Sequence, residues 1–212
     1  MTGLIVFDLD GTLVDSRRDL ANAANALVAG LGGAPLSEDA VGEMVGEGAA
    51  VLVRRALAAA GLAPDSPGAL PRFLELYDQR LLEHTRPYGG IVDALQHLHT
   101  GYALAVLTNK PQAATDRLLA GLGLGRFFRD VIGGDTPLGR KPGAAGLQEL
   151  ARRSAVSLGS TTLVGDSPID LQTARSAGSH IVLAGYGFGF RPVELLDGER
   201  IAGRPAELAN LF

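Results

Sequence analysis

Near its start the chain reads Leu4-Ile5-Val6-Phe7-Asp8-Leu9-Asp10-Gly11-Thr12-Leu13-Val14-Asp15-Ser16, and this stretch decides the predicted fold. Its first four residues are apolar, which predicts a short strand buried on both faces. Side chains two residues apart on an extended chain point the same way, so Asp8 and Asp10 can face one space beyond the strand. Like charges that close repel unless a cation lies between them or one is protonated. The alternative is a solvated acidic turn, and later residues decide between these interpretations.

The composition is that of an ordinary globular protein. The 212 residues are 46% apolar and 20% charged, enough for one large domain or one domain with a smaller insert. The absence of cysteine excludes disulfides and thiolate chemistry and favours a reducing cytosol, so we expect a cytoplasmic protein. The start has neither the basic region nor the apolar run of a signal peptide, and no segment reaches membrane-spanning length.

The charge limits the expected partners. A formal net charge of −4 without a long basic run argues against nucleic acid, and we expect no membrane partner either. Any anionic substrate must then be held by a few local cations. A monomer and a homodimer both remain open.

The first half of the chain is predicted to be helical after its first strand. Ser16 and Asp19 have the form of a capping box at the start of a helix. Further helical patterns follow at about 38–46, 49–61 and 69–84, and the next strand is 103–107, after a helix near 90–99. Because a βαβ unit needs only about 30 residues, about 70 residues are surplus to the sheet. We therefore predict a core of residues 1–15 and 87–212, with a helical insert at 16–86.

Strands and helices alternate in the second half. The pattern predicts, in order, a helix at 111–121, a strand around 131–132, a helix at 143–154, a strand at 161–164, a helix at 168–177, a strand at 180–184 and a helix at 205–211. Such alternation is typical of an α/β fold with a doubly wound parallel sheet covered by helices on both faces. The segment 185–189 is glycine-rich but lacks dinucleotide-binding spacing, so we interpret it as a structural loop.

Polar residues follow the predicted strands where ligands bind in open α/β sheets. Thr108 and Asn109 come directly after the second strand of the sheet and either cap a helix or meet phosphate at its N-terminus. Lys141 lies between the third strand and its helix, as a solvated charge or as a phosphate ligand. Asp166 and Asp170 end the fourth strand, and Asp170 has the alternative role of partnering Ser167 in a capping box. Since Mg²⁺ commonly uses one or two carboxylates plus phosphate and water, Asp8 and Asp166 fit a magnesium site.

The four motifs resemble those of the haloacid dehalogenase superfamily of phosphohydrolases over nearly the whole chain. They are Asp8-Leu9-Asp10-Gly11-Thr12, Thr108-Asn109, Lys141-Pro142 and Gly165-Asp166-Ser167-Pro168-Ile169-Asp170. Further segments are similar to the phosphoglycolate phosphatase branch: Val45-Gly46-Glu47-Gly48-Ala49, Thr108-Asn109-Lys110-Pro111, Gly133-Gly134-Asp135 and Ala184-Gly185-Tyr186-Gly187. Ala144 departs from this pattern, because the family usually has proline there, but Lys141 is retained.

This resemblance implies catalytic roles for particular residues. Asp8 would attack phosphorus and form an aspartyl-phosphate, while Asp10 would protonate the leaving alcohol and then activate water. Thr108 and Lys141 would hold the phosphoryl oxygens, and Asn109 would lie beside them in the substrate site.

The resemblance also implies a cofactor and a partner. Mg²⁺ would be bound by Asp8, Asp166 and the backbone carbonyl of Asp10, with Asp170 orienting Lys141 or a metal-bound water. The partner would be a small phosphorylated metabolite, and the insert at 16–86 would be a helical cap that closes over the site.

The substrate hypothesis is 2-phosphoglycolate. The insert offers backbone N–H groups at Gly46 and Gly48, with Arg54 within two turns, to meet the carboxylate of a short acid. The alternative is that these glycines only end one helix and begin the next. A pyrophosphatase, a nucleotidase, a sugar-phosphate phosphatase and a phosphomutase remain open on the same scaffold. A dehalogenase is disfavoured because it would not need an acid at Asp10, and a catalytically silent binding protein is disfavoured because neither Asp8 nor Asp10 is lost.

Overall fold

The computed structural model describes residues 3–212, and in this range the chain forms eight strands and eight α-helices. In chain order these are β1 (Leu4–Phe7), β2 (Val14–Asp15), α1 (Arg17–Gly30), α2 (Glu38–Gly42), α3 (Ala49–Ala59), α4 (Ala69–Arg80), β3 (Arg86–Pro87), α5 (Ile91–Leu98), β4 (Ala103–Leu107), α6 (Gln112–Gly121), β5 (Asp130–Ile132), α7 (Ala145–Arg153), β6 (Thr161–Gly165), α8 (Pro168–Ala177), β7 (His180–Ala184) and β8 (Arg200–Ala202). Short 3₁₀ helices cover Gly125–Phe127, Leu158–Ser160 and Pro205–Asn210. Within the described range, no helix is long and apolar enough to cross a membrane.

Six of the strands form one parallel sheet in the order β5-β4-β1-β6-β7-β8. All four residues of β1 are buried, with Ile5 and Phe7 in one apolar cluster and Leu4 and Val6 in another. The first cluster includes side chains of α5 and α6, and the second includes side chains of α7 and α8. The predicted α/β fold with a parallel sheet covered on both faces is therefore confirmed.

The four helices α1–α4 lie between β2 and β3, which pair with each other in antiparallel fashion. Val14 is opposite Pro87 and Asp15 is opposite Arg86, so the chain leaves and re-enters the core at one place. Helix α1 packs against α2, α3 and α4. We call Arg17–Arg80 the helical insert from here on.

The structure corrects several local predictions. Ser16 does not cap α1, because its hydroxyl donates to Asp10 Oδ1 at 2.6 Å instead. Asp19 instead accepts hydrogen bonds from the backbone N–H groups of His84 and Thr85, which follow α4. The segment predicted as a helix at 205–211 is a 3₁₀ helix, and β2, β3 and β8 are too short to give a periodic signal.

Candidate active site

The sheet topology brings the predicted polar groups together. Strand β1 lies between β4 and β6, so the residues that follow these three strands, Asp8, Thr108 and Asp166, are neighbours at one edge of the sheet. Lys141 reaches the same place from the loop between β5 and α7. All four residues are buried.

Lys141 is held between two carboxylates. Its ammonium nitrogen lies 2.7 Å from Asp8 Oδ1 and 2.6 Å from Asp170 Oδ1. Burial alone would lower the pKa of Lys141, but Asp170 and Asp8 together raise it above its usual range. Lys141 is therefore a fixed cation beside Asp8.

Asp170 has both of the roles that the sequence left open. Its Oδ2 accepts hydrogen bonds from the backbone and the hydroxyl of Ser167, which completes a capping box at the start of α8. Its Oδ1 binds Lys141. Since its carboxylate joins Ser167 to Lys141, Asp170 is placed to position Lys141.

Three buried carboxylates form a group that is suited to a cation. One oxygen each from Asp8, Asp166 and Asp170 lies within 4.8 Å of the others. Burial, together with Asp170 and Asp10, outweighs Lys141 and raises the pKa of Asp8 to about 6. Burial and the charges of Asp8 and Asp170 also raise the pKa of Asp166 well above its usual range. The single positive charge of Lys141 therefore does not neutralise the three carboxylates. Carboxylate oxygens are ligands that Mg²⁺ prefers, so the group could bind this ion.

Two glycines allow the chain to pass close to Asp166. Gly11 has φ of +89°, and a Cβ atom there would lie 1.9 Å from Asp166 Oδ2. A Cβ at Gly187 would lie 2.3 Å from the Asp166 Cβ. The glycine-rich loop at 185–189 therefore has a role beyond connecting elements, because the backbone N–H of Gly189 donates to Asp166 Oδ2 at 2.7 Å.

Asp10 has two partners that the sequence did not predict. The Ser16 hydroxyl binds its Oδ1, and the Lys110 ammonium lies 3.0 Å from both of its carboxylate oxygens. Lys110 in turn donates to the hydroxyl of Tyr77 on α4 at 2.5 Å. Lys110 follows Thr108-Asn109 at a strand end, and this position was the sequence signal that could have identified it as a site residue. Tyr77 had no such signal, because it lies on a helix of the insert.

A cavity of about 40 Å³ lies between the strand ends and the helical insert. The core contributes Asp8, Asp10, Thr108, Asn109, Lys110 and Pro111 to its lining. The insert contributes Leu20, Val45, Gly46, Gly48, Ala49, Leu52, Phe73, Leu74 and Tyr77. The cavity is small beside the roughly 300–1,000 Å³ of pockets for drug-sized ligands, so its dimensions suit a small molecule.

Asn109 connects the insert to the core. Its side-chain amide nitrogen donates to the carbonyl oxygens of Gly46 and Lys141, and its amide oxygen accepts from the Lys141 backbone N–H. Gly46 and Gly48 line the cavity, and Gly48 is also the N-cap residue of α3. Arg54 is not brought to the site: its side chain is 63% exposed and pairs with Asp65 at 3.0 Å. It lies on α3 away from the cavity lining, so the prediction that it contacts substrate is not supported by its position.

Comparison with known proteins identifies the family. The family model for haloacid dehalogenase-like hydrolases matches residues 5–184. The phosphoglycolate phosphatase of Rhodospirillum rubrum is 43% identical over 204 residues, covering 92% of this chain and 85% of the relative. This chain belongs to the haloacid dehalogenase-like hydrolase family. Phosphoglycolate phosphatase 1 of Pseudomonas aeruginosa is 39% identical over 198 residues, covering 90% of this chain and 72% of that protein.

Solved structures agree with this membership. A crystal structure described as a predicted phosphoglycolate phosphatase from Haemophilus somnus superposes with a TM-score of 0.90 at 30% identity, covering 99% of this chain and 97% of that one. CbbY from Rhodobacter sphaeroides, in complex with phosphate, has a TM-score of 0.81 at 24% identity, covering 98% and 96%, and supports the fold alone. Together with the relatives named phosphoglycolate phosphatase, this membership shows that the protein is a phosphatase that acts on small phosphoesters.

Proposed function

We propose that this hydrolase is a Mg²⁺-dependent phosphatase that cleaves 2-phosphoglycolate through an aspartyl-phosphate on Asp8. The observation that carries the proposal is the buried Asp8 carboxylate, fixed by Lys141 at 2.7 Å and grouped with Asp166 at the same sheet edge. The substrate is proposed because the relatives with 39–43% identity bear the name phosphoglycolate phosphatase and because the cavity is small.

The residues present fit a magnesium ion. Asp8 and Asp166 would hold it with one oxygen each, together with the backbone carbonyl of Asp10. Lys141 contacts Asp8 at Oδ1 and Gly189 donates to Asp166 at Oδ2, and a carboxylate has further lone pairs with which it could bind a cation. When bound, Mg²⁺ would neutralise charge on phosphate and nucleophile, so that two anions can approach.

The first half of the proposed reaction transfers the phosphoryl group to the protein. A carboxylate oxygen of Asp8 attacks phosphorus while the bond to the leaving oxygen breaks. Asp10 donates a proton to that leaving oxygen, and glycolate departs. Thr108 and Lys141 bind the phosphoryl oxygens, where they stabilise the charge of the transition state.

The second half returns the protein to its starting state. The Asp10 carboxylate, now ionised, accepts a proton from a water molecule. The oxygen of that water attacks the phosphorus on Asp8, inorganic phosphate leaves and the Asp8 carboxylate is restored.

We propose that residues 16–86 act as a cap on a catalytic core of residues 1–15 and 87–212. The pairing of β2 with β3 puts both connections side by side, and the Asn109–Gly46 hydrogen bond crosses between the two parts. Closure of the cap would exclude water during the first step, and its opening would admit water for the second. A cytoplasmic location, the absence of nucleic-acid and membrane partners and the choice between monomer and homodimer stay predictions.

The test is phosphate release from a panel of substrates by the purified protein. We expect the highest kcat/KM for 2-phosphoglycolate, lower values for pyrophosphate, nucleoside monophosphates and sugar phosphates, and loss of activity with EDTA that excess Mg²⁺ restores. A higher kcat/KM for a sugar phosphate or a nucleotide would refute the substrate, and full activity in EDTA would refute the metal requirement. Isomerisation of a sugar phosphate without phosphate release would indicate the phosphomutase alternative.

A further inference from the structure

Lys110 and Tyr77 form a polar pair in an otherwise apolar part of the cavity. Lys110 comes from the loop after β4, and Tyr77 comes from α4 of the helical insert. Both are buried, with exposures of 6% and 3%, and the Lys110 ammonium also lies 4.5 Å from the centre of the Tyr77 ring. Among the described residues that line the cavity, Lys110 is the single cationic side chain.

Both members of the pair carry hydrogen-bond donors, the Lys110 ammonium and the Tyr77 hydroxyl. The Lys110 ammonium is paired with the Asp10 carboxylate at 3.0 Å, so its positive charge is balanced although the side chain is buried. Burial raises the pKa of Tyr77 to about 12, so its hydroxyl stays neutral. The Tyr77 oxygen accepts from Lys110, and within residues 3–212 its own hydrogen has no acceptor. The ring is held by stacking on Phe73, with centroids 5.9 Å apart.

The position of the pair relative to Asp10 decides what it can bind. In the proposed reaction the leaving oxygen must lie within hydrogen-bond distance of an Asp10 carboxylate oxygen. Lys110 lies 3.0 Å from both of those oxygens, so the atoms attached to the leaving oxygen come next to the Lys110–Tyr77 pair. An anionic group one carbon from the leaving oxygen is within reach of both donors.

We propose that Lys110 and Tyr77 are the subsite that binds a carboxylate on the leaving group and selects substrates that carry one. This inference rests on the proposed function and assigns its selectivity to two residues. The apolar surroundings, including Leu20, Leu52 and Phe73, strengthen the charge interaction because little water screens it. When Lys110 donates to the substrate instead of to Asp10, Asp10 still accepts a hydrogen bond from the Ser16 hydroxyl.

The experiment compares three substrates that differ at one group. They are 2-phosphoglycolate with a carboxylate, 2-hydroxyethyl phosphate with a neutral hydroxyl and phosphoethanolamine with an ammonium. The readout is the ratio of kcat/KM for 2-phosphoglycolate to that for 2-hydroxyethyl phosphate, in the wild type and in Lys110→Met, Tyr77→Phe and Arg72→Met. Arg72→Met is the matched control, because it removes one positive charge from the exposed face of the helix that carries Tyr77.

The expected ratios are specific to the pair. The wild type favours 2-phosphoglycolate and discriminates most strongly against phosphoethanolamine. Lys110→Met lowers the ratio by about 10–100-fold, as for loss of a charged hydrogen bond, and Tyr77→Phe lowers it by about 3–10-fold, as for a neutral one. Arg72→Met leaves the ratio unchanged. Because Lys110→Met also alters Asp10, its kcat falls on every substrate, but that common loss cancels in the ratio.

Two results would overturn the subsite alone. One is an unchanged ratio in Tyr77→Phe, a variant that keeps the ring packing and so decides the matter even if Lys110→Met does not fold. The other is a wild type that hydrolyses all three substrates equally well, which refutes the subsite and leaves the phosphatase activity intact. A wild type that hydrolyses none of the three with Mg²⁺ refutes the proposed function itself, and the subsite with it.

Discussion

The strand ends and the helical insert contribute to the same cavity in different ways. At the strand ends, Asp8, Thr108 and Asp166 directly follow three adjacent parallel strands, and the sheet brings them together. In the insert, Tyr77 reaches the cavity from the side of a helix, while Arg54 on another helix pairs with Asp65 at the surface. In the proposed reaction, the residues that would bind phosphate are therefore brought together by the sheet, whereas Tyr77, which would meet the leaving group, is positioned by helix packing.

This difference predicts how substitutions in the two regions should act. Changes at the strand ends should lower the rate on every phosphoester, because all substrates share the phosphoryl group. Changes in the insert should alter selectivity or stability, because they affect either the leaving group or the attachment of the helices.

The largest expected effect is that of Asp8→Asn. This variant keeps the shape of the side chain but removes the attacking anion, so kcat should fall by at least about 10⁴-fold on every substrate. Thermal unfolding of the same preparation checks the fold, and it should change little because repulsion from Asp170 and Asp10 is relieved as the contact with Lys141 weakens. Appreciable turnover in the folded variant would contradict the assignment of Asp8.

Thr108→Val and Lys141→Ala should act on all substrates alike. Thr108→Val removes one donor to the phosphoryl group, and a cost of about 10²–10³ in kcat is expected. Lys141→Ala should cost at least as much, and it should also destabilise the fold by about 3–5 kcal/mol because buried Asp8 and Asp170 lose their cation. Measurement of kcat on two chemically different phosphoesters checks this prediction. Losses of kcat that differ between the two substrates would contradict the view that the strand ends act on the shared phosphoryl group.

Gly187→Ala tests whether the glycine-rich loop supports the metal site. A methyl group there collides with Asp166, so the Mg²⁺ concentration for half-maximal activity should rise by about 10–100-fold. Gly159→Ala is the control, because a Cβ atom there meets nothing within 4 Å. Equal Mg²⁺ titrations for both variants would mean that the loop does not position Asp166.

Asp19→Asn should affect the attachment of the insert rather than chemistry. Burial raises the pKa of Asp19, but hydrogen bonds from Thr85 and His84 outweigh burial and lower it below its usual range. The stabilisation, about 1–3 kcal/mol, is present above the unfolded pKa near 3.9 and is lost as pH falls through the folded value. The difference in melting temperature between wild type and variant should therefore be largest near pH 6 and shrink below pH ~4. A difference that does not vary with pH would exclude this ionised carboxylate as the cause.

The smallest expected effect is that of Arg54→Ala. Its ion pair with Asp65 is exposed, so stability should change by less than about 1 kcal/mol. The ratio of kcat/KM between 2-phosphoglycolate and 2-hydroxyethyl phosphate should stay the same. A change in that ratio would return Arg54 to the substrate site and would mean that the insert moves more than this structure implies.

The sequence by itself determined the sheet and the residues at its edge. The apolar run of β1 and the alternation of strands and helices follow from local periodicity, and the parallel order then places the residue after each strand at a common edge. Asp8, Thr108 and Asp166 needed no information about distant contacts. The helix predicted at 205–211 is a 3₁₀ helix, and the brief strands β2, β3 and β8 were missed because a few residues do not establish a period.

Only the tertiary structure decided what each polar group binds. Ser16 has the pattern of a helix cap, yet a competing acceptor on Asp10 takes its hydroxyl. Asp170 caps α8 and holds Lys141 at the same time, because a carboxylate has two oxygens and both find donors. The Lys110–Tyr77 contact joins residues 33 positions apart. Its formation depends on how the insert packs over the sheet, and long-range packing of that kind leaves no periodic signal in the sequence.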